Sequence, residues 1–433
     1  MKFYNTNDRN QLIGFKEAVF NGISENGGLY MPEKIPGFSN NFVGELSSLS
    51  FQEICFEISN KFLSEDILAN DINEIIEQSI NFDAPLISLE NNTHILELFH
   101  GPTFAFKDFG ARFMAEVFKH FLQDSKKEVI VLVATSGDTG SAVANAFYRK
   151  EGLKVVLLYP EKKISNLQEK QLTTLGENIY ALEINGTFDD CQSLVKQAFN
   201  DNSLKKFKNL TSANSINIAR LLPQTFYYFR AFQQLQNKND ELIFSVPSGN
   251  LGNLTAGLIA MQMGLPVSIF ISATNLNSVF TEFLSTGKFT PRKSVPTLSN
   301  AMDVGNPNNF YRIVHLFNQK IEIIKNIIRS KTITDNETIE TIRNVYQKYD
   351  YLLDPHGAVG FKAAIDLLLN DLSKKQLIIL ETAHPAKFSE TIKESIEKEI
   401  DIPPGLKSCL QLEKKSVKMK SVYNELKEYL LAV

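Results

Sequence analysis

VIVLVATSGDTGSAVANAFY, residues 129–148, sets the architecture of this chain. Val129–Ala134 is an unbroken apolar run, the pattern of a strand buried on both faces. A glycine-bearing turn rich in hydroxyls follows, Thr135-Ser136-Gly137-Asp138-Thr139-Gly140-Ser141, and then helical sequence through Ala142–Tyr148. The unit repeats along the chain. Lys154–Tyr159 and Ile179–Ile184 read as strands, each followed by polar, periodic helical sequence. Leu242–Val246 leads into a second glycine-bearing loop and the helix Leu254–Met263; Val267–Ala273 and Gln376–Leu380 are the remaining recognisable strands. Alternation of this kind predicts an α/β fold with a mostly parallel sheet and helices on both faces.

Composition bounds the rest. At 433 residues the chain exceeds one small core, so roughly two or three domains are expected. With 43% hydrophobic and 22% charged residues and a net charge of −4, it has an ordinary composition and no bulk basic footprint for nucleic acid. Lysine clusters such as Lys205-Lys206-Phe207-Lys208 read as solvated helix faces. The N-terminus shows neither an apolar signal core nor a cleavage site, and no run is long enough to cross a bilayer, so a cytoplasmic location is expected. Cys55, Cys191 and Cys409 form no Cys-x-x-Cys pair, and the six histidines show no ligand spacing, so neither a disulfide framework nor a metal site is expected.

Four loops carry candidate chemistry. The first is His100-Gly101-Pro102-Thr103-Phe104-Ala105-Phe106-Lys107-Asp108-Phe109, which places a lysine in aromatic surroundings before a helix whose Phe109, Phe113, Val117 and Phe121 share one face. Desolvation disfavours an ammonium and frees the amine as a nucleophile, the property a Schiff-base lysine needs; a snorkelling surface lysine is the plainer alternative. The second, Thr135–Ser141, offers hydroxyls and backbone N–H groups at a helix start, suited to a carboxylate or to simple capping. The third, Ser248-Gly249-Asn250-Leu251-Gly252-Asn253, forms an anion cup without the Gly-x-Gly-x-x-Gly or Gly-Lys-Ser/Thr of nucleotide sites, which suggests a phosphorylated cofactor. The fourth, Asn214–Arg220, puts Asn217 and Arg220 at i and i+3 on one face, where the guanidinium would fork onto a phosphate or pair with a carboxylate. A further loop, Glu381–Phe388, follows the last recognised strand.

Together these blocks resemble the pyridoxal-phosphate enzymes of fold type II, the tryptophan-synthase-β class. HGPTFAFKDFGARFMA (100–115), ATSGDTGSA (134–142), SANSINIAR (212–220), VPSGNLGN (246–253), AMDVGNPNNF (301–310), DPHGAVG (354–360), ETAHPAKF (381–388) and GISENGGLYMPE (22–33) are similar to the long bacterial and fungal form of the threonine synthase family. The resemblance runs nearly the whole chain, in order. It implies two αβα domains and an N-terminal extension: residues 1–85 as N-terminal domain, 86–112 with 241–433 as the large cofactor-binding domain, and 113–240 as the small one.

The same resemblance implies a pyridoxal 5'-phosphate-dependent lyase acting on phosphates, converting O-phospho-L-homoserine and water to L-threonine and phosphate. A phospho-lyase releasing 2-oxobutyrate and a non-catalytic cofactor-binding relative are the alternatives. Lys107 would carry the cofactor; Gly249, Asn250, Leu251, Gly252 and Asn253 would hold its phosphate, and Thr382 would meet the pyridine nitrogen. Ser136, Gly137 and Thr139 would bind the substrate carboxylate, and Asn217 with Arg220 the substrate phosphate. Asp138 would contact cofactor or substrate. The expected partner is that small molecule, with neither nucleic acid nor membrane, in a monomer or small homo-oligomer.

Overall fold

The computed structural model describes residues 1–24, 26–123, 128–135, 137–368 and 372–433. Three sheets organise them. The largest has six strands in the order Ile328–Thr332, Val267–Thr274, Glu241–Pro247, Lys375–Glu381, Thr93–Glu97 and Leu86–Ser88. All its pairings are parallel except the last, at the Leu86–Ser88 edge. A five-stranded, wholly parallel sheet runs Val417–Lys420, Ile179–Asn185, Leu153–Pro160, Val129–Ala134 and Asn209–Thr211. Near the N-terminus, Asp8–Ile13, Phe3–Asn5 and Tyr30–Pro32 make a small antiparallel sheet.

The apolar runs explain the two parallel sheets. In Glu241–Pro247, Leu242, Phe244 and Val246 pack with Leu254 and Leu258 of the helix Gly252–Gln262 on one face. Ile243 packs on the other against Ala358, Val359 and Ala363 of the helix Pro355–Leu368. Val129–Ala134 divides the same way: Val131 and Val133 join Phe113 and Phe118, while Ile130 and Leu132 join Cys191 and Leu194. Each fully buried aliphatic side chain contributes roughly 1.5–3 kcal/mol. Because alternate residues are apolar on both faces, the strands carry no polar stripe.

Two expectations need correction. The helix after Val129–Ala134 begins at Asp138, four residues before the predicted Ala142, and runs to Phe147. The C-terminal segment, expected in the large domain, joins the small sheet: Val417–Lys420 pairs with Leu182–Asn185, placing Met419 beside Ile184. Leu426 and Leu430 of the helix Tyr423–Ala432 complete that core. A four-residue strand with only Met419 buried carries too little apolar signal to be read from sequence.

Parallel order brings the strand ends that matter to one side. Ala134, Pro247 and Glu381 each end a strand whose following loop borders a single large cleft.

Candidate active site

Lys107 is the first residue of the helix Lys107–Leu122, and its side chain is 15% exposed. The preceding loop is stitched to the loop after Lys375–Glu381: the Phe106 N–H donates to the Thr382 carbonyl at 2.8 Å and the His384 N–H to the Phe104 carbonyl at 3.1 Å. Ala105 and Ala383 form a bridge between the two. Asp108, fully buried, accepts from the Thr103 N–H at 2.8 Å and the Thr103 hydroxyl at 2.6 Å, which closes the turn. Gly101 is needed there, because a Cβ would lie 2.5 Å from an Asp108 carboxylate oxygen. The Lys107 ammonium sits 4.7 Å from the centre of the Phe106 ring.

Charge gathers around this amine. Asp138, first residue of the helix Asp138–Phe147, places Oδ2 4.0 Å from Lys107 Nζ. Its Oδ1 pairs with the fully buried Lys387 at 2.6 Å and accepts from Gln168 Nε2 at 3.1 Å. Burial is the main cause holding the Lys107 amine below the ordinary lysine value; Asp138 opposes it, and Lys387 and Arg220 reinforce it. The two ammonium groups keep the Asp138 carboxyl well below the usual range despite its burial.

The turn before Asp138 is built by Thr135, whose hydroxyl accepts from the N–H groups of Gly137 at 3.0 Å and Gly140 at 2.8 Å. Gly137 has φ +135°, a conformation that favours glycine, and a Cβ there would meet the Gln168 side chain at 2.6 Å. Thr139 borders the cleft beside Asp138. Ser136 lies outside the described residues.

The loop 248–253 presents backbone rather than side chains. Leu251 is buried in the left-handed region at φ +60° and precedes the helix Gly252–Gln262. Gly249 lies flush against the loop over it: a Cβ would come 2.8 Å from Met302 Cα and 3.0 Å from the Ala301 carbonyl oxygen. Asn250 spends its amide on the scaffold, donating to Ser215 Oγ at 2.6 Å and accepting from the Asn308 N–H at 2.6 Å. Asn253 donates to the Pro247 carbonyl at 2.7 Å. N–H groups at a helix start in a loop shaped this way make a cup for an anion.

Arg220 and Asn217 do not act as the expected pair. Asn217 is fully buried and caps the helix Ile218–Leu221; its amide donates to the Val19 and Ser212 carbonyls, and its oxygen accepts from the Ala219 N–H. Nothing of it borders the cleft. The i, i+3 spacing fails because Asn217 precedes the helix and its side chain turns back to cap it. Arg220 does border the cleft. One of its terminal N–H groups donates to the Ala213 carbonyl at 2.7 Å, and its buried Nε has no partner among the described residues. Burial brings the guanidinium down to about 10, with Asp108 opposing.

One cleft of about 1680 Å³ takes in Lys107, Asp138, Arg220, Gly249 and Thr382. His356 also borders it, with Nδ1 on Asp354 and Nε2 accepting from the Ala301 N–H at 3.2 Å. Lys205 and Lys208, read from sequence as a solvated face, border the cleft as well. Lys387 and His356 lie in the blocks ETAHPAKF and DPHGAVG that carry the family resemblance, yet neither residue's own spacing marks it as part of a site.

Known proteins resemble this chain in sequence and fold. The profile described as "Pyridoxal-phosphate dependent enzyme" covers residues 82–381, "Threonine synthase N terminus" residues 2–80, and "Threonine synthase, C-terminal" residues 357–430. Threonine synthase of Escherichia coli K12 is 45% identical over 407 residues, 94% of each chain. The chain belongs to the threonine synthase family. The crystal structure of threonine synthase from Escherichia coli superposes with a TM-score of 0.93 at 43% identity over the whole of both chains. PLP-bound threonine synthase from Brucella melitensis gives 0.93 at 32% identity, covering 100% of this chain and 99% of that one. The cofactor of this pyridoxal-phosphate-dependent enzyme is pyridoxal phosphate, and the cleft suits it: the desolvated Lys107, the 248–253 loop at a helix start, and Thr382 just after the strand Lys375–Glu381 all border it. Among the described residues no group of metal-ligating side chains assembles, and no helix is long and apolar enough to cross a membrane.

Proposed function

We propose that this chain converts O-phospho-L-homoserine and water to L-threonine and phosphate, with Lys107 as the cofactor-bearing lysine. The observation that carries the reading is the meeting of Lys107, the 248–253 cup and the unpartnered Arg220 Nε in one cleft. The 248–253 loop would hold the cofactor phosphate through backbone N–H groups, and Thr382 would serve the pyridine nitrogen. Gly137 and Thr139, at the start of the helix Asp138–Phe147, would hold the substrate carboxylate together with Ser136. Arg220 takes the substrate phosphate, and Asn217 serves by fixing the helix that carries it.

When bound, pyridoxal phosphate supplies the electron sink for bond breaking at the amino acid's Cα. The chain does the rest. Lys107, its proton weakly held, would take protons from the substrate's Cα and Cβ and return them to Cγ, once phosphate has left it, and to Cα. Water would add its OH at Cβ, its remaining proton going to the released phosphate. Arg220, desolvated and fixed to the Ala213 carbonyl, orients the phosphate that leaves from Cγ. The hydroxyl of Thr382 would give the pyridine nitrogen a neutral partner, which would support protonation there less than a carboxylate. Incubation of the holoenzyme with O-phospho-L-homoserine followed by NMR of the products tests the reading. Threonine and phosphate in equal amounts support it; 2-oxobutyrate in place of threonine overturns it.

A further inference from the structure

The Lys107–Asp138 contact has a third member. Lys387 lies in the short turn Pro385–Phe388, far in sequence from both, and its side chain is 0% exposed. A buried ammonium needs acceptors. Among the described residues it has two: Asp138 Oδ1 at 2.6 Å and the Thr103 carbonyl at 3.0 Å. Thr103 is four residues before Lys107, in the turn closed by Asp108. Lys387 therefore ties the loop of Lys107 to the carboxylate that faces Lys107.

The two lysines hold that carboxylate unequally. Lys387 is within hydrogen-bonding distance of one oxygen, whereas Lys107 is 4.0 Å from the other, too far for a hydrogen bond. Gln168 adds a second donor on the Lys387 side, at 3.1 Å from Oδ1. A lone carboxylate opposite Lys107 would trap its amine as an ammonium. One whose charge is already met does so far less.

We propose that Lys387 is a positioning residue for the reaction: it clamps Asp138 by Oδ1 and offsets its charge, so that Asp138 holds the proton of the Lys107 amine less tightly. This rests on the reading of Lys107 as the cofactor-bearing lysine. It gives Asp138 a role, that of a neutralised carboxylate steering the lysine amine. The charged groups facing Lys107 are Asp138, Lys387, Arg220 and Asp354, and burial acts with the two cations. Removing Lys387 and removing Asp138 must then move Lys107 in opposite directions.

The test uses the full-length chain freed of cofactor. Lys107 is acetylated with trace acetic anhydride across a pH series and read by peptide mass spectrometry, with exposed Lys320 as internal reference. Lys387→Met should raise the labelling midpoint of Lys107 by about one unit, the scale of one adjacent charge. Lys387→Gln, which keeps a donor for the Thr103 carbonyl, should do the same if the charge is what matters, and it stands in should the methionine variant not fold. Asp138→Asn should lower the midpoint. Opposite shifts support the clamp; unmoved midpoints, or shifts of one sign in all variants, overturn it and leave Lys387 a structural tie. Borohydride reduction of the wild-type holoenzyme separates the two readings. A pyridoxyl label on Lys107 with unmoved midpoints overturns the clamp alone, and a label on another lysine overturns the underlying assignment.

Discussion

The two glycine-bearing loops occupy equivalent places, each after a parallel strand and before a helix, yet they work by different physics. The loop 135–141 places Asp138 between two lysines, one hydrogen-bonded and one held apart. The loop 248–253 contains no ionisable side chain, and both its asparagines are spent on the scaffold. Backbone N–H groups bind a permanent anion at any pH and need no proton to be moved. A reacting amine needs adjustable charge nearby. On the function proposed above, the same βα junction would serve as a fixed anchor in one sheet and as a proton-tuning device in the other, and the variants below should separate anchoring from tuning.

The largest effect is expected at Lys107. Lys107→Ala removes both the cofactor attachment and the base, and loss of a general base alone lowers turnover roughly 10²–10⁴-fold. The cup remains, so the variant should still bind pyridoxal phosphate reversibly, as seen by equilibrium dialysis. Retained turnover would remove Lys107 from the chemistry.

Gly249→Ala should strike the anchor alone. Its Cβ would meet main chain, Met302 Cα at 2.8 Å and the Ala301 carbonyl at 3.0 Å, so no side-chain rotation relieves it. Overpacking of this kind costs roughly 1–3 kcal/mol, which predicts cofactor affinity weakened about tenfold or more. The Lys107 acetylation midpoint should stay at the wild-type value. A shifted midpoint would mean that the two loops are coupled and the contrast between them false.

Sequence carried the strands and the loops because both leave local signals: unbroken apolar runs for strands buried on two faces, and glycines where backbone must pass close or turn. Leu242–Val246 was legible for the first reason and Gly249 for the second. What stayed hidden is long-range. Lys387 meets Asp138 only because the segments that follow Lys375–Glu381 of one sheet and Val129–Ala134 of the other come together, and no spacing encodes that. Asn217 misled for the opposite reason: its spacing to Arg220 fits one helical face, but the helix starts after it and its side chain is used as the cap.

Arg220→Ala sharpens the comparison from the substrate side. A hydrogen bond to a charged group is worth roughly 1.5–3 kcal/mol, so kcat/KM for O-phospho-L-homoserine should fall about tenfold or more. Arg220→Lys should restore only part of this, since the planar fork is lost. Cofactor occupancy should be unchanged in both, because the cup is independent of Arg220. Free phosphate should inhibit the wild type and inhibit Arg220→Ala poorly. Cofactor loss with phosphate inhibition intact would make Arg220 a structural residue.

The smallest effect concerns the loop lying over the cup. Asp303 follows Met302, whose backbone packs on Gly249, and it is an ionisable group in the segment lying over this uncharged anchor. Its carboxylate accepts from the Asn275 amide at 2.9 Å, the Asn277 amide at 3.1 Å, and the Thr297 hydroxyl and N–H at 2.7 and 3.0 Å. Burial nonetheless outweighs these donors and raises it from 3.8 to about 6. For an acid raised in the folded state, the folded chain binds more protons than the unfolded one between those values. Stability from this group is therefore present at acid pH and declines as pH rises from about 4 to about 6, with no further change above. Calorimetric Tm values across that window should show Asp303→Asn lacking this decline, so that the gap between variant and wild type changes with pH up to about 6 and is constant beyond. Parallel Tm profiles would show that Asp303 titrates as an ordinary aspartate and that its four donors cancel the cost of its burial.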